Sequence, residues 1–476
     1  MKKRILSILL TAALLLTVIF CTAAVGSAAE LYGDTDGDGD VTILDATAVQ
    51  RHLAELKALD ERAIARSKVR GDSDLTIMDA TAIQRYVAEL IDRFPAGETL
   101  ETDAKNTVTI HLTDNKNWGV VYAYIYDYTT NEALSEWPGV EMTASGVDIS
   151  GKPVLTAKVD LSKYNRVIFN SDTKKTSPIP VTKANTGFKF AGKSGSYYYV
   201  SFYPYEDIGK GAIETVSLDY PDGYKKKLYI WTPPGYDPED TEKKYSTLYM
   251  TDGHNVLDKM YSYAGTEWQC DETVLSLMQN GGDGVIIVGI DNSSSVRETE
   301  LTPNLSEIAP EMVAAVEAQG IEMPEFRGDV FAGFVVNDLI PYVESHYNVN
   351  DVRGFAGSSC GGLEALYIGM EYPQTFSYIG AFSSAFAYFT EKAWDEYLDS
   401  KAFSGDMPYL YLYTGANDKD YTERWIHPTA EKMAGWLLSR GYPSDKLYNV
   451  VDEAAKHHES YWAIYFPEML CRGLGL

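Results

Sequence analysis

The sequence has few cysteines and few basic residues for its length, and after Val25 it has no long apolar run. Only four cysteines occur in 476 residues, at Cys21, Cys270, Cys360 and Cys471. This number and spacing exclude a disulfide framework, so packed cores and bound ions have to stabilise the fold. Acidic residues outnumber basic ones by 68 to 41, which argues against nucleic acid and anionic membranes as partners. With only 19 prolines and 45% hydrophobic residues, wholesale disorder is excluded as well.

The first 29 residues have the pattern of a secretory signal peptide. Met1 to Arg4 is basic, Ile5 to Val25 is apolar, and Ser27 to Ala29 offers small residues for cleavage. The apolar run also approaches the length that spans a membrane, so an uncleaved anchor is the alternative. We expect residues 1–29 to be removed and the mature protein to be extracellular.

A tandem repeat follows this leader. Val41 to Arg51 and Leu75 to Arg85 have closely similar sequences, so one small unit occurs twice. In the first copy, Gly39 stands at the loop position where a calcium loop needs a tight turn. The surrounding acidic residues have calcium-loop spacing, with Asp40 offering its carbonyl: Asp34, Asp36, Asp38, Asp40 and Asp45. We expect a helix to leave the loop after Asp45, because apolar residues then recur at helical spacing.

On these residues, segment 31–93 resembles a dockerin, the duplicated calcium-binding module that attaches enzymes to a cohesin on a scaffold protein. The resemblance implies that the five aspartates bind structural calcium. It also implies a cohesin-bearing scaffold as partner, contacted by Ile43-Leu44 and Ile77-Met78.

The second copy of the repeat lacks the full acidic set. Lys68 and Arg70 stand at loop positions that should be acidic or amide, and Ser73 replaces the usual glycine. Cationic side chains repel calcium, so the remaining candidate ligands are Asp72, Asp74 and Asp79. We therefore expect one well-bound ion, in the first loop.

After a linker at 94–104, residues 105–203 have the pattern of a small β-sandwich. Short β-branched and aromatic runs recur with turns between them. Tyr122 and Tyr124 are two residues apart on a predicted strand and share one face. Together with Trp118 and Trp137, they either belong to the core or form an exposed row that stacks on sugar rings.

The segments Asn117-Trp118, Tyr122-Ala123-Tyr124, Trp137-Pro138-Gly139 and Arg166 to Asn170 make this stretch similar to the starch-binding modules of families 25 and 26. The resemblance implies that Tyr122, Tyr124 and Trp137 form a platform for α-glucan.

From about residue 210 to residue 476, strands alternate with helices, which predicts an α/β protein with a mostly parallel sheet. A short strand ends in Gly357-Ser358-Ser359-Cys360-Gly361, which fits G-x-S-x-G with Ser359 in the centre. A helix-like stretch follows, as this motif requires. Ser359 is therefore the predicted nucleophile, and the Cys360 N–H is a predicted oxyanion donor.

A serine nucleophile needs a base and an orienting acid, in the chain order serine, acid, histidine for this fold. A predicted strand at 408–414 ends in a turn that contains Asp418, which is the preferred acid. Asp420 and Glu423 are the lesser alternatives. The base is His457 or His458, with His457 preferred, although the pattern alone does not separate them.

Residues 210–476 resemble the esterase D-like branch of the α/β hydrolases, which includes carbohydrate esterase family 1 with its feruloyl and acetyl xylan esterases. The blocks that carry the resemblance are 232–236, 252–255, 288–292, 357–362 and 457–462. The resemblance places the base at His457, takes the second oxyanion N–H from His254, and implies no cofactor for catalysis.

Together, the three segments predict a multidomain, scaffold-associated serine esterase that removes feruloyl or acetyl groups from plant polysaccharide. The alternatives are acyl transfer, another ester class, and a non-catalytic glycan-binding protein with a vestigial hydrolase domain.

Overall fold

The computed structural model describes residues 31–59, 61–70, 74–88, 90–91, 93–96, 106–203, 209–263, 265–292, 295–403 and 407–476. The predicted signal peptide, Asp72, Ser73 and most of the predicted linker lie outside these residues. The chain divides into two compact units, one that runs to Thr107 and one over Val108–Leu476. In the described part of the chain, no helix has the length and apolarity needed to cross a membrane.

Among its described residues, the first unit has the helices α1 (Ile43–Leu53), α2 (Glu61–Ser67) and α3 (Ile77–Val87). The sequence repeat is also a structural repeat, because α1 and α3 begin with the same capping box. The Asp45 carboxylate accepts from the Thr42 N–H at 2.8 Å, and the Asp79 carboxylate accepts from the Thr76 N–H at 2.9 Å. The two helices pack around a small shared core of Ala46, Val49, Val69, Ala80, Ile83 and Phe94.

Ten strands form the sandwich at the start of the second unit. They are β1 (Thr107–Thr113), β2 (Tyr122–Tyr126), β3 (Val140–Glu141), β4 (Thr143–Val147), β5 (Pro153–Asp160), β6 (Arg166–Ser171), β7 (Lys174–Lys175), β8 (Ile179–Pro180), β9 (Gly187–Ser194) and β10 (Tyr197–Phe202). One sheet has the order β10-β9-β1-β5-β4, and the other has the order β3-β2-β6-β7 with β8 also paired to β6. Alternate residues of these strands are buried between the sheets, as the period-2 pattern predicts.

The rest of the second unit is an α/β layer structure around an eight-stranded sheet of order β11-β12-β14-β13-β15-β16-β17-β18. Its strands are β11 (Ala212–Asp219), β12 (Lys225–Thr232), β13 (Tyr245–Met250), β14 (Val285–Ile290), β15 (Val349–Ser358), β16 (Tyr378–Phe382), β17 (Tyr409–Gly415) and β18 (Leu447–Asp452). β12 pairs antiparallel with both β11 and β14, and the remaining neighbours in the sheet pair parallel. The predicted mostly parallel sheet is thereby confirmed, and its carboxyl ends share one edge where loops can build a site.

Helices cover both sides of this sheet. They are α4 (Cys270–Gln279), α5 (Arg297–Glu300), α6 (Pro310–Glu317), α7 (Gly328–Phe334), α8 (Ile340–His346), α9 (Cys360–Glu371), α10 (Glu391–Asp399), α11 (Tyr421–Ser439) and α12 (Glu459–Leu474). A π-helical segment, Val335–Leu339, joins α7 to α8, and short 3₁₀ turns occur at Gly253–Asn255, Phe386–Tyr388 and Ser444–Lys446. Cys270, Cys360 and Cys471 are buried and unpaired, so disulfides play no part in this unit.

A buried ion pair joins the sandwich to the α/β layer. Arg166 on β6 and Glu468 on α12 have side chains only 1% and 2% exposed. Two parallel bonds connect them, Nη1 to Oε1 at 2.9 Å and Nη2 to Oε2 at 3.0 Å. The Tyr411 hydroxyl also donates to Glu468. Burial acts to raise the pKa of Glu468, but the Arg166 and Arg472 guanidinium groups outweigh it and hold this pKa below its usual value.

We predict that breaking this pair destabilises the protein far more than breaking a surface pair. Arg166→Met leaves the Glu468 carboxylate buried without its partner, so the free energy of unfolding should fall by about 3–5 kcal/mol. Adding Glu468→Leu to this variant should recover much of the loss, because no buried charge then remains. Denaturant titration measures both.

The matched control is Lys432→Ala, which breaks the exposed 2.7 Å pair between Lys432 and Glu391 and should cost less than about 1 kcal/mol. An Arg166→Met variant no less stable than this control would contradict the structural importance of the buried pair.

Candidate active site

Ser359 lies at a sharp turn between β15 and α9. Its backbone has φ 59° and ψ −123°, a conformation that a residue with a side chain adopts only at a cost. Gly357 and Gly361 flank it, and a Cβ on either would overlap the Thr251 hydroxyl. The turn predicted from G-x-S-x-G is therefore present, and the two glycines allow it to pack directly against the end of β13.

His457 faces a buried carboxylate. Its Nδ1 lies 3.2 Å from Oε1 of Glu423, whose side chain is fully buried. Glu423 occupies the first turn of α11, which Asp420 caps by accepting from the Glu423 N–H at 3.0 Å. Gly415 at the end of β17 leaves room for this carboxylate, since a Cβ there would lie 2.9 Å from the Glu423 Cδ. The pair has the geometry of a base and its orienting acid.

The structure does not place the preferred acid, Asp418, against the histidine. Asp418 is exposed in the turn after β17, and Asp420 is occupied as the helix cap. Asn417 ties this turn to the loop before His457 by donating to the Ala454 carbonyl at 2.8 Å. Held in this way, the turn directs the first residues of α11 inward, so Glu423 is the carboxylate that reaches the imidazole.

His458 has a different role from its neighbour. It is the N-cap of α12, and its Nδ1 accepts from the Ser460 N–H at 3.2 Å. Its side chain is 40% exposed, compared with 16% for His457. The ring of His457 also meets Trp462 edge to face at 5.1 Å. The geometry therefore favours His457 over His458 as the base.

The turn that contains His254 is held by a buried polar network. Asp252 has φ 53°, and its carboxylate accepts two bonds from Arg297, at 2.5 and 2.7 Å. The Asp252 N–H donates to Asn292 at 3.0 Å. Asn292 in turn donates to Glu300 at 2.7 Å. Burial acts to lower the pKa of Arg297, but the Asp252 carboxylate raises it above its usual value, so this ion pair persists and fixes the turn.

Asn292 lies in the block 288–292 that carries the family resemblance, but the sequence assigned no role to it or to Arg297, Glu300 and Lys226. Lys226 donates to Glu300 at 2.5 Å from β12, 74 residues away in the chain. Of these residues, Asn292 alone gave a usable signal, because it follows a fully buried parallel strand.

The serine turn, the histidine loop and the His254 turn border one cavity of about 1230 Å³. Its lining includes Ser359, His457 and His254, together with Asp252 and Arg297. An apolar wall is contributed by Tyr261, Met312, Val316 and Phe326. Cys360 is the first residue of α9, so its N–H belongs to the positive end of a helix directly beside Ser359. The cavity can hold an ester with its carbonyl near a serine, a histidine and backbone N–H groups.

The aromatic residues of the sandwich divide into core and surface. Trp118 is 7% exposed and stacks on Phe190 at 4.1 Å in the interior. Trp137 is 53% exposed and lies 5.4 Å from Tyr124. Tyr122 and Tyr124 are half-buried on the same face of β2. Three of the four aromatic side chains are therefore accessible, and we call Tyr122, Tyr124 and Trp137 the platform.

The turn that carries Trp137 packs directly on β2. The Asn170 side chain on β6 donates to the Pro138 carbonyl at 2.8 Å. Gly139 has φ +105°, and a Cβ there would overlap the Ala123 backbone. Trp137 is thereby fixed beside the tyrosines.

The predicted calcium loop brings its carboxylates together. Oxygen atoms of Asp34, Asp36 and Asp38 all lie within 4.8 Å of one another, and the buried Asp45 carboxylate accepts from the Asp36 N–H at 3.1 Å. Asp40 is exposed, with its N–H bonded to Asp38 at 2.9 Å. Burial and the Asp45 and Asp38 carboxylates raise the pKa of Asp36, a repulsion that a bound cation would relieve. This all-oxygen donor set fits calcium.

The second loop keeps only part of this arrangement. Asp79 is buried where Asp45 stands in the first copy, and it accepts from the Arg70 N–H at 3.3 Å. Asp74 is exposed. Lys68 and Arg70 occupy the positions that Asp34 and Asp36 hold in the first loop.

Family models match three parts of the chain. A model described as "Putative esterase" matches residues 223–472, more than half of the sequence. A starch-binding module 26 model matches residues 110–178, and a dockerin type I domain model matches residues 32–88. These matches confirm the three resemblances predicted from the sequence.

Individual relatives are distant. The uncharacterized protein YbbA of Bacillus subtilis (strain 168) is 20% identical over 251 residues, which cover 52% of this chain and 91% of that protein. The siderophore hydrolase EstA from Aspergillus nidulans is 19% identical with a TM-score of 0.44, covering 57% of this chain and 98% of that one. The IroE-like serine hydrolase from Shewanella oneidensis is 19% identical with a TM-score of 0.41, covering 54% and 78%. In each case, the similarity involves about half of the present chain.

We predict one tight calcium ion per chain. Calorimetric titration of the chelator-treated protein should show a single tight site, because only the first loop has a full acidic set. Asp34→Ala should abolish this site and unfold the helices of the first unit, since metal binding and folding are coupled there.

Asp74→Ala in the second loop is the matched control and should leave the tight site intact. Two equally tight sites in the unmodified protein would contradict the inference that Lys68 and Arg70 disable the second loop.

Proposed function

Because the chain belongs to the esterase family whose model spans residues 223–472, we propose that it is a serine carboxylic ester hydrolase. In this proposal, Ser359 is the nucleophile, His457 the base, and Glu423 the acid that positions His457. The N–H groups of Cys360 and His254 form the oxyanion hole. The observation that carries the proposal is the 3.2 Å contact between His457 and the buried Glu423, at a cavity that also contains Ser359.

The proposed reaction has two steps. The Ser359 hydroxyl attacks the ester carbonyl carbon while His457 Nε2 takes its proton, and the resulting oxyanion is held by the two N–H groups. His457 then gives the proton to the leaving sugar oxygen, which departs and leaves an acyl-serine. Water, deprotonated by His457, attacks this acyl group and releases the carboxylic acid and free Ser359. The Glu423 carboxylate keeps Nδ1 protonated and stabilises the imidazolium in both steps.

Two features favour an enzyme over a vestigial hydrolase domain. The strained backbone of Ser359, with φ 59° and ψ −123°, costs of order 1–3 kcal/mol. Glu423 is fully buried, and its Oε2 atom has no hydrogen-bond partner, an arrangement that also reduces stability. Both costs are expected where a side chain is arranged for reaction.

The accompanying modules support an extracellular polysaccharide as the substrate. We propose that the protein is secreted and that the first unit attaches it to a cohesin-bearing scaffold. The implied cohesin contact residues are all at least half exposed: Ile43, Leu44, Ile77 and Met78. The sandwich binds α-glucan, and the esterase site removes feruloyl or acetyl groups from plant polysaccharide.

We predict that four substitutions identify the catalytic residues. Ser359→Ala and His457→Ala should each lower kcat on small aryl esters, feruloylated oligosaccharides or acetylated glycans by several powers of ten, because triad residues act as a unit. Glu423→Gln should lower kcat by about 10⁴-fold, since an amide no longer holds the required tautomer. Asp418→Asn, in the exposed turn that precedes α11, should leave kcat within about twofold of the unmodified protein, as a surface substitution does.

If Asp418→Asn were inactive and Glu423→Gln active, the acid would have to be reassigned to Asp418. If the unmodified protein cleaved no ester and Ser359→Ala behaved identically, the hydrolase proposal would fail and a glycan-binding role would replace it.

We also predict that Trp137→Ala weakens retention of the whole protein on insoluble starch. Loss of one exposed indole should reduce affinity by about tenfold or more, with no change in the unfolding midpoint. The matched control is Ile149→Ala, which removes a side chain that is 76% exposed elsewhere on the sandwich. Retention on xylan or cellulose in place of starch would show that the platform is not an α-glucan site.

A further inference from the structure

The platform is one strand away from the buried ion pair that joins the two parts of the second unit. Strand β2, which carries Tyr122 and Tyr124, pairs with β6 so that Tyr124 lies opposite Ile168 and Tyr126 opposite Arg166. Arg166 is the residue bonded to Glu468 on α12. The platform therefore cannot turn relative to the α/β layer without breaking a buried two-bond ion pair.

A second connection links the sandwich to the loops of the active site. The ring of Tyr199 on β10 lies 5.4 Å from the ring of Tyr461 on α12. The Ser194 hydroxyl, at the end of β9, lies 3.5 Å from the Ala454 carbonyl and 3.5 Å from the Asn417 side chain. Ala454 belongs to the loop before His457, and Asn417 to the turn before α11. The β9–β10 hairpin thus touches both loops that bring His457 and Glu423 together.

The accessible aromatic surface continues from the platform onto this hairpin. Lys175 on β7 has its Nζ 5.9 Å from the ring of Trp137 and 5.2 Å from the ring of Tyr197. Tyr197 is 38% exposed. It shares a face of β10 with Tyr199, while Tyr198 between them packs edge to face on the buried Trp118 at 5.1 Å. Trp137, Lys175, Tyr197 and Tyr199 therefore form a series of neighbours that leads from the platform to α12, and we call this series the bridge.

The bridge is chemically suited to a sugar polymer. Aromatic faces bury the C–H sides of sugar rings, and the Lys175 ammonium can donate hydrogen bonds to hydroxyl groups. The bridge ends at Tyr461, in the first turn of α12, and the neighbouring residues His458, Glu459 and Trp462 line the catalytic cavity. A polymer chain that followed the bridge from Trp137 would therefore reach the turn of α12 that borders this cavity.

We propose that the ester cleaved at Ser359 is carried by the same α-glucan chain that the platform holds, so that the substrate class is an acylated α-glucan. Tyr197 and Lys175 are then further glucan-binding residues between the platform and the cavity. This inference rests on the proposed serine ester hydrolase function and adds the polymer that carries its acyl group.

The rigid connection explains how such binding helps the reaction. When a chain is bound at the platform, delivery of its ester to Ser359 becomes an intramolecular step with a high effective concentration. This gain requires that the platform and the serine keep a fixed relation, which the Arg166–Glu468 pair and the hairpin contacts provide. A short ester that reaches only the cavity receives none of it.

The test compares kcat/KM on acetylated maltodextrin with kcat/KM on acetylated maltose, a fragment too short to reach the platform. Each kcat/KM is divided by the kcat/KM of the same variant on 4-nitrophenyl acetate, so that differences in the fraction of active enzyme cancel. In the unmodified protein, the long substrate should be preferred. Trp137→Ala and Tyr197→Ala should each reduce this preference by about tenfold, which corresponds to about 1.4 kcal/mol.

Ile149→Ala is the matched control, because Ile149 follows β4 at the opposite edge of the sheet that begins with β10; it should keep the full preference. If esters are cleaved but the two variants retain the preference, or if acetylated xylan is preferred over acetylated maltodextrin, the inference is overturned and the hydrolase function stands. If no ester is cleaved and Ser359→Ala changes nothing, the hydrolase function itself fails, and this inference fails with it.

Discussion

The ion pair between Arg166 and Glu468 is the interaction on which the arrangement of the second unit depends. Both charges are almost completely removed from water, a transfer that costs several kcal/mol per ion. The two parallel bonds, the Tyr411 hydroxyl and the Arg472 guanidinium, 3.1 Å from Glu468, offset that cost. An apolar contact of the same size would also stabilise the interface, but its energy would depend less on the angle between the sandwich and the α/β layer. A bidentate pair permits one orientation, so it fixes the sandwich on α12, the helix that begins two residues after His457.

The rest of the site is positioned by close backbone packing. Gly357 and Gly361 bring the serine turn against Thr251, Gly253 packs on Gly289, and Gly415 leaves space for Glu423. At each of these places, a Cβ would occupy volume that another part of the site already fills. Interiors packed in this way have discrete arrangements and resist small displacements. Ser359, Glu423 and the turn at Asp252 are therefore all held near the carboxyl ends of strands β13, β15 and β17 of one sheet.

The features predicted correctly from the sequence depend on short segments. The clustered carboxylates of the first loop, the helix after Asp45 and the turn at Ser359 each need only the residues of one stretch, and local sequence specifies them. Glu423 meets His457 across 34 residues, and Arg166 meets Glu468 across 302, so tertiary packing alone decides both contacts. Asp418 was preferred from the fold's usual position for the acid, whereas the carboxylate that lies beside His457 is Glu423. The sequence pattern does not separate the two, because tertiary packing sets the path of the chain after β17. For the same reason, composition did not separate Trp118, which is core, from Trp137, which is surface.

The shared packing of the sandwich and the α/β layer also separates two ways in which a binding module can assist an enzyme. A module on a flexible tether raises the local concentration of polymer around the enzyme, and any polymer in the same cell wall or granule is then within reach. A module fixed by a buried ion pair and by contacts to the catalytic loops selects the bound chain itself, because only sites at one distance and direction from Trp137 can enter the cavity. In our proposal, the contacts of Tyr199 with Tyr461 and of Ser194 with Ala454 and Asn417 align the surface that leads from the platform with the first turn of α12. The position of an acyl group along the glucan would then be part of what is recognised.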